Sequence, residues 1–351
     1  MKILILGGTG AMGVQMVEIL KNTDNEVYVT SRKSHNDDGN IKYIKGNAHD
    51  NEFISELFKE IKFDVVVDFM TYKTEEFEKR VDLLLENAKQ YFFLSSSRVY
   101  ASSDTALTEE SPRLLDTVKD EEYLKTDEYA LKKARQENLL KESQHSNWVI
   151  IRPYITYEDN RLQLGVLEKE GWLQRALQGK PIVFSKDIAS KYTTMTWAGD
   201  VSAIMVRLFG KDVGGNIYHI TGEESLLWSD VLNLYLDVIE KKTGKRPEVY
   251  MTDNALNMKV SRAKCIYDRL YDRRFDNSKI NEAIGENYNF VSIRDGLGKS
   301  LENFLDGERK FKKMTLTGEA ANDRLCGVRG KRSDFNSTQA YIKYLFHRYI
   351  K

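Results

Sequence analysis

The order of apolar runs and turns along the chain predicts an α/β protein built on a doubly wound parallel sheet, with a smaller C-terminal α/β region. Two observations predict it. A glycine-rich stretch, Gly7-Gly8-Thr9-Gly10-Ala11-Met12-Gly13, stands between a short apolar run and an amphipathic one. Apolar runs of strand length then alternate with helical periodicity as far as Pro153.

Residues 2–6 read as a buried strand, and residues 14–20 as a helix with Val14, Val17 and Leu20 along one face. Strand, glycine turn and helix together form a Rossmann-type anion site. The missing side chains let a pyrophosphate approach the backbone, the last glycine lets helix pack on strand, and the helix N-terminus offers free N–H groups. The glycines fit Gly8-x-Gly10-x-x-Gly13 or Gly7-x-x-Gly10-x-x-Gly13, and a turn without a ligand is the competing reading. A second strand, 26–30, is followed by Ser31-Arg32-Lys33, where such units place the residue that reads the ribose. An acidic residue there would favour NAD. A hydroxyl and two cations favour NADP instead.

A third strand, 42–45, leads into the turn containing Asn47 and Ala48, then a helix over 51–61. The fourth strand, 64–69, is apolar through its middle, as a strand buried on both faces should be. Residues 75–90 alternate at helical spacing and predict one helix; the fifth strand, 91–94, ends in Ser95-Ser96-Ser97-Arg98-Val99-Tyr100. An acidic loop over 104–120 precedes a helix that carries Tyr129 and Lys133 and reaches Ser143, and residues 148–153 form the sixth strand. Beyond Thr156 the alternation weakens. Residues 172–177 and 181–184 are short elements, Asp200 reads as the N-cap of a helix to Phe209, and 215–220 is the last strand. Helices follow over 229–241, after the capping run Asp276-Asn277-Ser278, and over 293–305. The division expected is a dinucleotide-binding unit of residues 1–155, to which 192–220 return. Residues 156–191 and 221–306 make a substrate-binding region, and 307–351 a basic extension with a terminal helix over 337–350.

The 351 residues carry 53 acidic and 53 basic side chains, so no whole-molecule field draws the protein to nucleic acid or an anionic membrane. Cys265 and Cys326 lie far apart, outside any metal-ligand spacing, which fits free thiols in a reducing compartment, and the five histidines are scattered. No apolar run has the length of a signal peptide or membrane span. The expectation is a soluble cytoplasmic protein without a metal site. The C-terminal 45 residues have a cationic excess, with Arg309, Lys310, Lys312, Lys313, Arg324, Arg329, Lys331, Arg332, Lys343, Arg348 and Lys351 against Glu308, Glu319, Asp323 and Asp334.

Tyr129 and Lys133 are one helical turn apart and project from one face. A nearby ammonium favours phenolate, so the tyrosine can exchange a proton with a substrate hydroxyl while a nicotinamide exchanges hydride. A hydroxyl at the end of the fifth strand, Ser96 or Ser97, would hold the same oxygen.

The glycine turn, Ser95–Tyr100, Tyr129-x-x-x-Lys133-x-x-x-Glu137, Arg152-Pro153 and Asp200-Val201 resemble the extended short-chain dehydrogenase/reductases, within them the NAD(P)-dependent nucleotide-sugar epimerase/dehydratase family. The resemblance spans about residues 1–305. It implies that Tyr129 transfers the proton, that Lys133 holds the nicotinamide ribose, and that Ser96 is the hydroxyl donor with Ser97 its nearest rival. It also implies a cofactor set of Gly7, Thr9, Gly10, Ala11, Met12, Gly13, Ser31, Arg32, Lys33, Asn47, Ala48, Phe69, Met70, Lys133, Pro153 and Tyr154. The C-terminal segments would bind the nucleotide sugar, and helices 75–90 and 129–143 would form a homodimer. Ser97 and Arg98 stand where sugar dehydratases place an Asp-Glu pair, which disfavours 4,6-dehydration, and Ala101 replaces the usual glycine. The expected activity is epimerisation of a nucleotide-diphosphate sugar through a transient keto form, with an NADPH-dependent ketosugar reductase as the alternative. Residues 27–33 and 272–279 also resemble the atypical branch that includes chloroplast stem-loop RNA-binding proteins. A non-catalytic module binding RNA or another acidic partner through the basic tail is therefore the third reading.

Overall fold

Seven apolar runs become the strands of one parallel sheet in the computed structural model, which describes residues 1–312 and 315–350. The strands are β1 (Lys2–Leu6), β2 (Glu26–Ser31), β3 (Ile41–Lys45), β4 (Phe63–Asp68), β5 (Ala88–Leu94), β6 (Trp148–Pro153) and an edge strand, Asn216–Ile220. Their order is edge strand, β6, β5, β4, β1, β2, β3, so the winding reverses between β4 and β1. Open α/β sheets bind ligands at such a reversal, outside the carboxyl ends of the strands. Every neighbouring pair is parallel.

Alternate strand residues serve opposite faces, as a period of two requires. Ile3, Ile5, Val27, Val29, Val65 and Val67 pack with Met16 and Leu20 of α1 (Ala11–Leu20) and with Ile204 and Met205 of the helix Ala198–Arg207. Leu4, Leu6, Val66, Phe93 and Ile150 pack on the other side with Ile54, Leu57 and Phe58 of α2 (Asn51–Glu60). Each such side chain, fully withdrawn from water, stabilises the fold by about 1.5–3 kcal/mol. A separate core forms among Trp172, Trp228, Tyr235, Leu297, Leu301 and Phe304. Its Trp172 and Tyr235 rings stack at 4.4 Å.

Two expected elements are corrected. The single helix over 75–90 is two short ones, α3 (Thr74–Glu78) and α4 (Val81–Glu86), and β5 begins at Ala88. The break falls at Arg80, which is buried and donates Nη2 to the Ala48 carbonyl at 2.7 Å. Asp200 does not cap its helix, which starts at Ala198 with Trp197 before it. Its buried carboxylate instead accepts from Val291 N–H at 2.9 Å and from the Tyr288 hydroxyl at 3.1 Å, a long-range tie that no local pattern announces.

The C-terminal extension is docked. Its helices Leu316–Leu325 and Thr338–Tyr349 pack on each other, and Ser337 caps the second through Ala340 N–H at 3.1 Å. Glu319, Asp323 and Asp334 turn inward: Arg175 Nη1 lies 2.7 Å from Glu319 and Asp323, and Lys180 Nζ lies 2.9 Å from Glu319 and 3.0 Å from Asp334. The Tyr344 hydroxyl completes the cluster on Asp323 at 2.6 Å. Arg309, Lys310, Lys312, Arg324, Arg329, Lys331, Arg332 and Lys343 remain exposed; Lys313 and Lys351 lie outside the described residues. Cys265 and Cys326 are free thiols. No helix among the described residues is long and apolar enough to cross a membrane.

Candidate active site

Strand β1 delivers the chain to the reversal point at Gly7, whose φ of +76° suits glycine alone. Gly10 N–H donates to the Gly7 carbonyl at 3.0 Å and closes the turn. A Cβ on Gly13 would lie 2.5 Å from Gly8 Cα, and one on Gly8 would lie 2.6 Å from Val29 Cγ1, so these two glycines seat α1 on the sheet. Gly10 precedes α1 without a side-chain cap, which leaves the first N–H groups of the helix for an anion. Gly7, Gly10 and Gly13 line the adjoining cavity while Gly8 packs beneath it, which favours the second spacing of the two.

That cavity, about 410 Å³, brings together Gly7, Gly10, Ala11, Met12, Gly13, Phe69, Ser96, Tyr129 and Pro153 of the expected residues. A smaller one of about 190 Å³ shares Gly7 and gathers Thr9, Ser31, Arg32, Asn47, Ala48 and Met70. Arg32 is exposed at its rim, and Ser31 Oγ is held by Lys33 N–H at 3.1 Å and by His35 Nε2 at 3.1 Å.

Four expected residues lie elsewhere. Lys33 is exposed and lines neither cavity. Ser97 Oγ is buried and donates to the Arg152 carbonyl at 2.7 Å, so it ties β6 to the end of β5. The Tyr154 hydroxyl points into the C-terminal core and donates to Asp268 at 3.0 Å. Lys133 Nζ passes under the cavity floor to the Leu94 carbonyl at 2.7 Å. Burial pushes the Lys133 ammonium down to about 8, with the Asp68 carboxylate opposing the shift.

The helix Tyr129–Glu142 is fixed at its start and again two turns along. Glu128 caps it through Ala130 N–H at 2.8 Å and accepts from Arg98 Nη2 at 2.8 Å. Arg98 in turn lies over the Tyr129 ring, 5.2 Å from its centre. Two turns on, Glu137 has no exposure and accepts from Arg152 Nε at 2.8 Å, Arg152 Nη2 at 2.6 Å, Ser95 Oγ at 2.6 Å and Arg113 Nη1 at 3.2 Å. Burial alone would raise its carboxyl; Arg152, Ser95 and Arg113 outweigh burial and hold it below the ordinary range. The helix bearing Tyr129 is thus bolted to the ends of β5 and β6.

The far wall consists of residues that motif spacing missed: Thr71, Arg98, Thr156, Arg161, Gln163, Glu168, Lys264 and Arg269. Asp268, buried behind them, is held in the charged form against burial by Arg269, Arg273 and Arg98. Lys264 donates to Glu168 at 3.1 Å and to the Val166 carbonyl at 3.2 Å, and burial lowers it to about 8. Four cations against one carboxylate make this end fit for an anionic ligand. The available signal was a dense run of charge from Arg262 to Asp276, in which Arg269, Arg273 and Arg274 flank Asp268 and Asp272.

The sheet order and the glycine turn are those of an extended short-chain dehydrogenase/reductase. More narrowly, a family model described as the RmlD substrate binding domain matches residues 1–265, and the chain belongs to that family. Among solved structures it is similar to the Bordetella bronchiseptica enzyme WbmH in complex with NAD+, at 15% identity and a TM-score of 0.66, covering 87% of this chain and 98% of that one. It is also similar to UDP-glucuronic acid 4-epimerase from Bacillus cereus in complex with NAD, at 17% identity and a TM-score of 0.64, over 87% and 99%. A third, UDP-N-acetylglucosamine 4-epimerase from Methanobrevibacter ruminantium in complex with UDP-N-acetylmuramic acid, aligns at 17% identity and a TM-score of 0.67, over 87% and 98%. At such identities the likeness establishes the fold. No curated protein matches the sequence.

Proposed function

We propose that the protein is an NAD(P)-dependent epimerase that acts on a nucleotide-diphosphate sugar through a keto form of the sugar ring. The observation that carries this reading is that Ser96 and Tyr129 line one cavity with the Gly7–Gly13 turn. A dinucleotide fits the turn because a Cβ at Gly7 would crowd Met70 Sδ at 2.9 Å, and because the start of α1 is uncapped. Gly7, Gly10, Ala11 and Met12 would hold its diphosphate, Ser31, Arg32, Asn47 and Ala48 its adenosine half, and Phe69 and Pro153 its other end. When bound it supplies reversible two-electron oxidation. Ser96 Oγ holds the reacting sugar hydroxyl, and Tyr129, reacting as phenolate, takes its proton to become the phenol and later returns it. Lys133, one turn on, lies under the cavity floor on the Leu94 carbonyl and brings its positive charge to that end of the site. The far wall, with residues 156–191 and 221–306, receives the sugar nucleotide, and the protein works as a cytoplasmic homodimer. Two of the similar structures are 4-epimerases, which supports the reading.

A one-way NADPH-dependent ketosugar reductase is the second reading, favoured by Arg32 beside Ser31, where a 2′-phosphate would lie. Purified protein incubated with a panel of nucleotide sugars and either cofactor separates the two by mass spectrometry and absorbance. Conversion at constant NAD(P)H absorbance supports the epimerase, and stoichiometric loss supports the reductase. Tyr129→Phe should lower turnover about 100-fold or more while cofactor binding persists. Unchanged turnover in that variant would refute the mechanism.

A further inference from the structure

The C-terminal extension lies beyond the residues that the family model matches, yet it reaches the site. A cavity of about 680 Å³ opens beside the main one and shares Ala11, Arg161 and Glu168 with it. Its outer wall is Lys310, Phe311 and Lys312. The segment is held in place: the Phe311 ring meets Phe304 edge-on at 5.3 Å, and Lys312 N–H donates to Glu170 at 2.9 Å.

The charges around this cavity are not equivalent. Each carboxylate already has a partner of its own. Glu158 accepts from Asn160 N–H at 3.0 Å, Glu168 from Gln163 at 2.9 Å and from Lys264, and Glu170 from Lys312 N–H. The cations are differently placed. Among the described residues, Arg161 makes one side-chain hydrogen bond, to the Thr156 hydroxyl at 3.0 Å, and helps hold Glu168 in its charged form, while the Lys312 ammonium has no carboxylate within ion-pair distance. Lys310 pairs at 2.8 Å with Glu308, both so exposed that the pair holds weakly. Four cations line the cavity, which begins at the first residue of α1; Lys169 is spent on Glu170 at 3.4 Å and on the Asn160 carbonyl, which leaves Arg161, Lys310 and Lys312, from two distant parts of the chain, to face it.

We propose that Lys310 and Lys312, together with Arg161, bind a diphosphate at the mouth of the cleft, which makes the extension a working wall of the ligand site. This rests on the reading of the cleft as a nucleotide site. The diphosphate belongs either to the substrate or to the dinucleotide, because the cavity touches both Ala11 and the cationic far wall. Either source is an organic dianion recognised by charge-assisted hydrogen bonds.

Binding of UDP and of NADPH to the full-length protein, measured separately by calorimetry at low salt, tests this. Lys310→Ala with Lys312→Ala should raise one of the two Kd values about tenfold, with the loss shrinking as salt rises. Weakened UDP assigns the site to substrate, and weakened NADPH assigns it to the dinucleotide; both support the proposal. Lys331→Ala with Lys343→Ala removes the same charge from exposed positions of the extension and should change neither. An equal loss in that control, or unchanged affinity for both ligands in the first variant, overturns the proposal and leaves the enzyme reading standing. Wild-type protein that binds neither ligand overturns both.

Discussion

Replacing Glu137 by alanine should destabilise the protein by about 3–5 kcal/mol, the usual effect of stripping a buried cation of its partner. The figure follows from its surroundings. The carboxylate has no exposure and accepts four hydrogen bonds, two of them from an Arg152 guanidinium that is itself 1% exposed. Alanine leaves Arg152 charged, buried and short of its two strongest bonds, with Ser95 Oγ also unpaired. Urea unfolding measures the loss as a lower midpoint at unchanged slope. Glu137→Leu combined with Arg152→Met should lose clearly less than the two single changes summed, because the pair leaves together. The pH dependence has a definite sign. The Glu137 carboxyl lies below its unfolded value of 4.5, so its stabilisation is complete above that pH and drains away as pH falls through the lower folded value. Wild type should therefore lose more stability on acidification than Glu137→Gln. A loss under about 1 kcal/mol for Glu137→Ala, or strict additivity in the double variant, would refute the account.

Three further outcomes are expected. Because Lys133 sits near 8, its positive charge fades above that pH, so turnover should fall on the alkaline side; Lys133→Arg should carry that limb upward, and an unmoved limb would remove Lys133 from the titration. Gly13→Ala forces a methyl group against the Gly8 backbone at 2.5 Å and should cost about 1–3 kcal/mol of stability, read by thermal melting, along with most dinucleotide affinity. Arg32→Asp should weaken NADP far more than NAD in fluorescence titrations, and equal effects would mean that Arg32 does not meet the 2′-phosphate.

Much of the fold was legible because parallel strands buried on both faces are apolar through their middles, as β1, β4 and β6 are. The glycine turn was legible for a steric reason, since few residues tolerate the closeness of Gly8 and Gly13. Tyr129 and Ser96 line one cavity. What stayed hidden depends on distant partners. Arg80 breaks a periodic helix to meet a carbonyl 32 residues earlier, and Asp200 spends its carboxylate on a segment 91 residues later. Local periodicity carries no record of either. Lys133 and Ser97 share motifs with residues that line the cavity, but each bends to a backbone oxygen instead. The far wall is drawn from four separated stretches, and only the folded chain makes them neighbours. The tail's charge was readable as a sum, not as an arrangement with Glu319, Asp323 and Asp334 turned inward and most of its bases outside.

The chain leaves the sheet after β6, builds other structure, and returns to lay down Asn216–Ile220 against that same strand. No single cut therefore separates the halves cleanly. A fragment ending at Pro153 would carry β6 with its outer backbone groups bare and its apolar side chains uncovered, a template for association with other copies. Whatever holds the cleft together also guards the border of the sheet, and a ligand bridging the two sides would act, at a distance, as a preservative against aggregation.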